Sequence, residues 1–446
     1  MHPRPTVRHA LAVLSAAALL AAPWPVWPAG AAKPEAPDAN RMQMESQPNF
    51  AKMQAVGKAM FFDASLSGSG KMACATCHDP AHAYGPSNAL SVQPGGKDGK
   101  LAGTRAVPSL RYQQNVPPFT AHHFDDDFDE SVDQGPAGGH GWDGRFRTLH
   151  EQAGTPLLAK NEMANASPAE VVAKLRRAPY AAQFRDTFGP KSLDDEARAF
   201  QWATLALEMF QQDPKQFYPY SSRYDAYLRK EIRLTPQEMN GLAVFNDENK
   251  GNCAACHVSA VSANTGAFPA FSDFGFIALG VPRNRVLPAN RDPKYFDLGL
   301  CGPERTDYKD PEGCGAFRTS SLRNVAVRQS FFHNGIFHSL EEVVRFYISR
   351  DTNPERWYPY PARAGGRHKP FDDLPARYVD NINTDTPFGP VPAGGKPRLP
   401  ESEIRDLVAF MRTLTDADVQ ATADRLAATA PAKPAASATL SPRAAR

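Results

Sequence analysis

The chain has 446 residues, of which 42% are hydrophobic and 22% are charged, so it is long enough for about two globular domains with sizeable cores. Its 50 basic and 48 acidic residues give a net charge of +2. That balance excludes an overall basic surface of the kind that binds nucleic acids, and the function must be inferred from individual sites.

The N-terminal segment, residues 1–31, has the pattern of a secretory signal peptide. Two arginines precede an apolar run from Ala10 to Pro23, and small residues around Gly30 offer a cleavage site. The run is shorter than the ~20 apolar residues of a membrane helix, although an uncleaved anchor is the alternative interpretation. No later segment approaches that length, so we expect a periplasmic protein whose mature chain does not span the membrane.

Two stretches of the sequence carry the same pentapeptide, C-x-x-C-H. Its members are Cys74, Cys77 and His78 in the first copy and Cys253, Cys256 and His257 in the second. Each cysteine pair can form thioethers with the vinyl groups of a haem, while the adjacent histidine binds the iron. A zinc site is the alternative, but zinc knuckles place their cysteine pairs much closer together and rarely put histidine directly after each pair. The motifs therefore predict two covalently bound c-type haems.

After each haem motif, two further patterns recur in the same order. A Ser-Leu-Arg element at Ser109 returns at Ser321, and a Gly-x-Phe element at Gly144 returns at Gly335. The offset falls from 212 residues to 191, so the first half carries 21 extra residues between the two patterns. They lie in an acidic, Gly/Pro-rich segment around Asp125–Asp133, which we interpret as a surface loop. The repeats predict an internal duplication in which each half is one haem domain.

Helical patterns surround these motifs, and no sustained strand alternation is seen. Ser167–Pro168 and Thr235–Pro236 are typical of helix starts, and Glu401–Leu414 repeats apolar residues at helical spacing. We therefore predict a mainly α fold of two cytochrome c-like domains with long irregular loops. The expected segments after the signal peptide are an N-terminal domain at 32–225, a C-terminal domain at 226–418 and an Ala/Pro-rich disordered tail at 419–446.

The two cysteines outside the motifs, Cys301 and Cys314, lie in a segment full of turn residues, "CGPERTDYKDPEGC". In an oxidising compartment we expect them to form a disulfide. Closing a loop of this length stabilises the fold by on the order of 2–3 kcal/mol. A redox-active pair is the alternative, but nothing around it resembles a C-x-x-C helix start.

The repeat also predicts that the two irons differ. At the offset of 191 residues, Tyr347 aligns with Pro156. A phenol oxygen can bind ferric iron and proline cannot, so the second iron would be closed by His257 and Tyr347 while the first stays open. The alternative for Tyr347 is a packed aromatic side chain on an amphipathic helix.

Roughly residues 48–416 resemble the bacterial di-haem cytochrome c peroxidase and MauG family. The resemblance rests on the two haem motifs together with "GWDGRFRTLHEQAGTPLLAKNEM" and "FRTSSLRNVAVRQSFFHNGIFHSLEEVVRFY". It implies that Trp142 mediates electron transfer between the haems and that Gln152, Pro156 and Glu162 line a peroxide pocket. Glu162 is suited to move a proton between the peroxide oxygens, whereas Gln152 can only hydrogen-bond. Without the family, Glu162 would be interpreted as an ordinary surface carboxylate.

Two departures from the family pattern concern the iron ligands. Many family peroxidases cap the first iron with a histidine sixteen residues after the motif, where this chain has Pro94. His82 is an alternative cap, although packing near the haem edge or solvation is the simpler interpretation. The usual methionine ligand of the second haem is also missing, because no methionine lies between Met239 and Met411. A tyrosine there matches the MauG-like branch and favours ferric iron, which predicts a low potential.

The family often holds calcium between its domains through an asparagine side chain and backbone carbonyls. The matching positions are Ala106, Arg328 and Ser330, so the side-chain ligand is lost. The acidic segment around Asp125–Asp133 could supply oxygen ligands instead, or it could simply be solvated. The sequence leaves calcium open as an additional cofactor.

Three hypotheses for function follow. The first is a peroxidase that reduces hydrogen peroxide to water with electrons from an exported redox protein, such as a small cytochrome or copper protein. The second is a MauG-like maturase that oxidises tryptophan or tyrosine residues of a partner protein. The third is a non-catalytic di-haem electron carrier, in which His122, His123 or His140 would close the first iron.

Overall fold

The computed structural model describes residues 49–123, 134–359, 370–389 and 392–429. Within them the chain is mainly helical with little sheet, which confirms the predicted fold class at that level. In the first half the helices are α1 Phe50–Phe61, α2 Cys74–Cys77, α3 Leu149–Leu158, α4 Pro168–Leu175, α5 Ala181–Phe188, α6 Glu196–Gln211 and α7 Pro214–Phe217. In the second half they are α8 Arg223–Leu228, α9 Pro236–Asn246, α10 Leu340–Ser349, α11 Pro354–Trp357, α12 Glu401–Arg412 and α13 Gln420–Thr429.

Two antiparallel sheets of two short strands each complete the described regular structure, apart from 3-10 turns. Strand β1 (Pro94–Gly95) pairs with β2 (Leu101–Ala102), and β3 (Phe276–Ile277) pairs with β4 (Phe317–Arg318). In the second sheet Phe276 lies opposite Arg318. Strand β4 is fixed to the first half, because the Arg318 N–H donates to the carbonyl of Trp142 at 2.9 Å.

Several of these helices begin with an N-cap side chain. The Thr148 hydroxyl accepts from the Glu151 N–H at the start of α3, and the Ser339 hydroxyl accepts from the Glu342 N–H at the start of α10. Thr235 and its partner Glu238 form a capping box on α9. Each cap satisfies N–H groups that have no partner within the helix.

The core of the first half forms around the pair α1 and α6. Gly57 of α1 lies directly against the backbone of α6, where an added Cβ would sit 1.8 Å from the carbonyl oxygen of Ala206. This close approach lets Val56, Phe61 and Phe210 pack into one buried cluster, which extends from Val56 to Tyr218 along the chain.

The core of the second half forms around the pair α9 and α12 in the same way. A Cβ at Gly241 of α9 would lie 2.0 Å from the carbonyl oxygen of Asp406 in α12. The surrounding cluster includes Phe245 and Phe410 and extends from Tyr224 to Leu414. The first cluster ends at Tyr218 and the second begins at Tyr224, and the domain bounds stay a prediction.

A buried carboxylate, Asp416, joins the two halves. It accepts from the Arg111 guanidinium at 2.9 Å and from the Tyr112 hydroxyl at 2.7 Å, both in the first half. It also accepts from the Asn324 amide at 2.6 Å in the second half, and its side chain is fully buried. Arg111 pairs in addition with Asp418, whose side chain is 53% exposed.

The predicted disordered tail at 419–446 is wrong for its first residues. Helix α13 occupies Gln420–Thr429, and Val419 and Ala423 are buried against Ala83 and Val327. Alanine favours helix, and these small side chains find a surface to pack on that composition alone does not reveal. Residues 430–446, the signal segment 1–31 and the acidic segment around Asp125–Asp133 lie outside the described residues.

Cys301 and Cys314 form the disulfide that the sequence predicts. It closes the loop between the second haem motif and β4. In the part of the chain that the structure describes, no helix combines the length and apolar character needed to cross a membrane.

Candidate functional site

Two cavities, of about 220 and 380 Å³, contain nearly all the residues that the sequence singles out. The first is lined by Cys74, Cys77, His78, Gln152, Pro156 and Glu162. The second is lined by Cys253, Cys256, His257 and Tyr347. Trp142 lines both cavities, together with Pro108, Ser109, Gln113 and Arg318.

His78 is held at the first cavity by the short helix that precedes it. Its N–H donates to the Cys74 carbonyl at 2.9 Å, and its Nδ1 lies 2.9 Å from the carbonyl oxygen of Tyr84. Burial lowers the pKa of His78 to about 4, so the ring is neutral and its Nδ1–H donates to that carbonyl. The lone pair of Nε2 is then available to a metal, as in most histidine ligands.

His257 has the same arrangement at the second cavity. Its N–H donates to the Cys253 carbonyl at 2.8 Å, and its Nδ1 lies 2.9 Å from the carbonyl oxygen of Phe271. Burial lowers the pKa of His257 below its usual range. Both histidines are therefore oriented by a backbone carbonyl and present Nε2 as a ligand.

The four motif cysteines are free and partly buried. Burial raises the pKa of the Cys74 thiol to about 12 and that of the Cys77 thiol to about 11. Among the described residues, no three His, Cys, Asp or Glu side chains are grouped as a metal-binding cluster. Two thiols beside a neutral histidine are the donor set that a covalently attached haem would use.

Arg318 provides a second test of that fit. It is buried between the two cavities, and burial lowers its pKa to about 10. Its Nη2 donates to the Gln113 side chain at 3.1 Å, but within the described residues Nε and Nη1 have no partner. Buried guanidinium N–H groups without a partner favour the binding of an anion, and the carboxylates of haem propionates can accept hydrogen bonds from them.

The residue that the lining helix presents to the cavity differs between the two halves. Tyr347 is on α10, is partly buried and stacks on Phe388 with ring centroids 5.3 Å apart. Burial raises the pKa of its phenol above the usual range. Pro156 lies on α3 and offers no ligand atom.

Glu162 follows α3 and points into the first cavity. The turn that carries it is fixed by two backbone hydrogen bonds, from the Glu162 N–H to Ala159 and from the Gly96 N–H to the Glu162 carbonyl. Burial raises the pKa of Glu162, Arg145 opposes that rise, and Glu304 adds to it. Gln152 lies on α3 and shares the cavity.

Trp142 is fixed between the cavities by its own N–H, because Nε1 donates to the Ala106 carbonyl at 2.7 Å. An indole shared by both linings is well placed to connect them electronically. The roles of Trp142, Gln152 and Glu162 in a reaction remain predictions.

The histidines considered as caps of the first iron differ in whether they line the first cavity. His82 Nδ1 lies 2.8 Å from Asp79, and His82, His122 and His123 line neither cavity. His140 does line the first cavity, and burial lowers its pKa to about 4. Pro94, at the position of the family's capping histidine, lines it too.

Arg328 occupies one of the positions that the resemblance assigns to a calcium site. Its Nη2 donates to the carbonyls of Val107 and Ser330, both at 3.2 Å, so a cationic group already contacts these oxygens. Burial lowers the pKa of Arg328 to about 10. A calcium site in the acidic segment around Asp125–Asp133 stays a prediction, because that segment lies outside the described residues.

Sequence reasoning missed Arg145, Glu304 and Arg318 as cavity residues. Arg145 could have been predicted from the sequence, because it belongs to the W-D-G-R pattern. Arg318 and Glu304 come from the other half of the chain, and nothing in their local sequence indicates that they reach the first cavity.

The paired sites and the helical fold define a class, the di-haem c-type oxidoreductases, and comparisons with known proteins agree. A family model described as di-haem cytochrome c peroxidase matches residues 51–233. Methylamine utilization protein MauG of Paracoccus denitrificans is 32% identical over 388 residues, covering 83% of this chain and 90% of that protein. Cytochrome c551 peroxidase of Pseudomonas aeruginosa is 28% identical over 304 residues, with coverage of 68% and 73%.

The crystal structure of the diheme peroxidase BthA from Burkholderia thailandensis superposes with a TM-score of 0.73 at 40% identity, covering 84% of this chain and 87% of that one. The chain belongs to the di-haem cytochrome c peroxidase and MauG family. It is accordingly an oxidoreductase that acts on peroxide, and membership implies two c-type haems.

Proposed function

We propose that the protein reduces hydrogen peroxide to water at the first cavity. The electrons would come from an exported redox protein, such as a small cytochrome or copper protein, or from a protein substrate. The observation that carries this proposal is the contrast between Pro156 and Tyr347, which occupy the same position of two helices and face different cavities.

His78 and His257 would hold the two haems, with thioethers from the four motif cysteines and with Arg318 near the propionates. When bound, the haems supply the iron centres that exchange electrons with peroxide and with the donor. Pro156 has no ligand atom and would leave the first site open to a small ligand. Tyr347 could close the second site with its phenol oxygen.

The protein groups around the first cavity would handle protons and orientation. Reduction of H2O2 to two H2O consumes two electrons and two protons. Glu162 in its carboxylate form would accept the proton of the oxygen nearer to His78 and return it to the outer oxygen, so that the O–O bond breaks and the outer oxygen leaves as water. The remaining oxygen would become the second water with the two electrons and the two protons. Gln152 would orient peroxide by hydrogen bonds, since an amide carries no transferable proton. Trp142 would pass electrons between the two sites.

We also infer that the two halves are repeats of one haem domain. Helices α3 and α10 have the same length at an offset of 191 residues, and both halves build their core on a helix pair with a glycine contact. The signal pattern at 1–31 and the disulfide support export to the periplasm.

A MauG-like maturase is the second candidate, favoured by Tyr347 in the second cavity and by the MauG protein of Paracoccus denitrificans at 32% identity. Both candidates use the same cavity and differ in the source of electrons. After one equivalent of peroxide without donor, a maturase should hold an oxidised state that decays slowly. A donor-dependent peroxidase should turn over rapidly with a reduced small cytochrome c.

The first test is the electron paramagnetic resonance spectrum of the resting ferric protein with both haems bound. One high-spin and one low-spin signal are expected, from an open first site and a closed second site. Two low-spin signals would mean that a side chain such as His140 closes the first site, and the proposal for the resting enzyme would be wrong.

A further inference from the structure

The first cavity receives only two of its described lining residues from the second half of the chain, Glu304 and Arg318. The remaining lining residues lie between Phe61 and Gln211. Arg318 fits the haem through its buried N–H groups that have no partner among the described residues. Glu304 comes from the loop closed by the disulfide and has no part in the chemistry proposed for Glu162 and Gln152.

The loop is fastened to the first half beside Trp142. The neighbour of Glu304, Arg305, is buried, and its Nη1 donates to the carbonyl of Asp143 at 2.8 Å. The guanidinium carbon of Arg305 also lies 3.7 Å from the ring centroid of Phe119. These contacts hold Glu304 at the mouth of the cavity.

Glu304 faces both solvent and the cavity. Its side chain is 32% exposed and lies 3.5 Å from Nη2 of Arg145, whose Nη1 donates to Asp143 at 2.7 Å. Glu162 lines the same cavity and interacts electrostatically with both Arg145 and Glu304. Glu162 also interacts electrostatically with the Cys74 and Cys77 thiols, which become thioethers when haem is attached.

Peroxide reduction requires two protons from solvent for every peroxide. A guanidinium has N–H donors and no acceptor, so Arg145 can position a carboxylate but cannot relay a proton. Glu304 is a carboxylate that reaches water on one side and the cavity on the other.

We propose that Glu304 is the proton-delivery residue of the first cavity. Positioned by Arg145, it takes protons from solvent and passes them to the cavity in which Glu162 acts. This inference rests on the proposed function, because it assumes that peroxide is reduced in this cavity.

The test compares Glu304→Gln with Glu312→Gln in the protein with both haems bound. Glu312 lies in the same disulfide loop but is exposed and lines neither cavity. Peroxide decay should slow by on the order of tenfold in Glu304→Gln, less than the ~10²–10⁴ of a group that acts on the substrate itself. Glu312→Gln should match the wild type, and Glu304→Asp should recover part of the rate.

Glu304→Asp separates proton delivery from a structural effect. Glu304 adds to the rise in the pKa of Glu162, so the acid limb of the pH profile should move to lower pH in Glu304→Gln wherever the loop lies. A misplaced loop would slow Glu304→Asp as much as Glu304→Gln, whereas the retained carboxyl of Glu304→Asp should restore part of the rate if Glu304 delivers protons.

Each outcome has one meaning. If Glu304→Gln equals Glu312→Gln in rate and profile while Glu162→Gln is slow, the role of Glu304 is overturned and the proposed function stands. If the wild type does not consume peroxide, or Glu162→Gln is as fast as the wild type, the proposed mechanism and this inference are both overturned.

Discussion

Pro156 and Tyr347 are each the eighth residue of a ten-residue helix, α3 and α10, and each lines the cavity of its own half. The same backbone element thus presents an inert ring to one site and a phenol oxygen to the other. We expect this side-chain difference at equivalent positions to give the two sites different chemistry.

Replacing Tyr347 with Phe should open the second site. The ring still packs on Phe388, so the fold should be kept while the oxygen is lost. We expect the low-spin signal of the ferric protein to be replaced by a second high-spin signal. Tyr378→Phe is the matched control, because Tyr378 lines neither cavity, and its spectrum should equal that of the wild type. An unchanged low-spin signal in Tyr347→Phe would exclude Tyr347 as a ligand.

The rate of peroxide decay should depend on the protonation of Glu162. Burial raises the pKa of its carboxyl, so the carboxylate needed to accept a proton forms only above the ordinary glutamate range of about 4.3. The rate should therefore rise with pH through an acid limb displaced upwards from that value. Stopped-flow measurements between about pH 4 and about pH 8 would resolve this limb.

In Glu162→Gln the acid limb should disappear and the rate should fall by about 10²–10⁴. Glu151→Gln is the control, since Glu151 is on α3, the helix that precedes Glu162, but does not line the cavity. Retention of the limb in Glu162→Gln would assign it to another group.

Arg328 places a buried positive charge close to His78, where it contributes to lowering the pKa of the imidazole. A positive charge disfavours the ferric state, so Arg328→Met should lower the midpoint potential of the first haem. A tenfold change in the ferric–ferrous equilibrium corresponds to about 59 mV for one electron. Spectroelectrochemical titration of both haems would measure it. Arg328→Lys keeps the charge and should shift the potential less, whereas equal shifts in the two variants would argue against an electrostatic cause.

Asp416 should be critical for stability because it joins the halves from a fully buried position. Asp416→Ala leaves Arg111, Tyr112 and Asn324 without their shared acceptor, and breaking a buried ion pair in this way costs about 3–5 kcal/mol. Asp418→Ala removes the exposed partner of the same arginine and should cost about 1 kcal/mol or less. Urea unfolding of the haem-loaded variants would compare the two, and similar losses would contradict the assigned role of Asp416.

The sequence was most informative where chemistry depends on local spacing. Cys74, Cys77 and His78 are neighbours in sequence, so their shared cavity follows from the pentapeptide itself. The contrast between Pro156 and Tyr347 could also be predicted, because the repeat supplies an alignment within one chain. The first prediction needs only the local sequence, and the second needs only the internal repeat.

Residues that reach a site across the molecule were beyond sequence reasoning. Glu304 lines the first cavity only because Arg305 and the disulfide loop dock on the other half. The start of the tail was misjudged for a related reason, since Val419 and Ala423 gain their burial from Ala83 and Val327, far away in sequence. Composition describes what a segment could bury, but not the surface that it meets.

The indole of Trp142 has a single N–H, which donates to the carbonyl of Ala106. A carbonyl oxygen is an acceptor far too weakly basic to remove that proton. In the role proposed for Trp142, an electron leaving the indole would therefore travel without a proton. Charge and hydrogen would thus enter the first cavity by separate routes: electrons through Trp142, which keeps its proton, and protons past Glu304 at the cavity mouth.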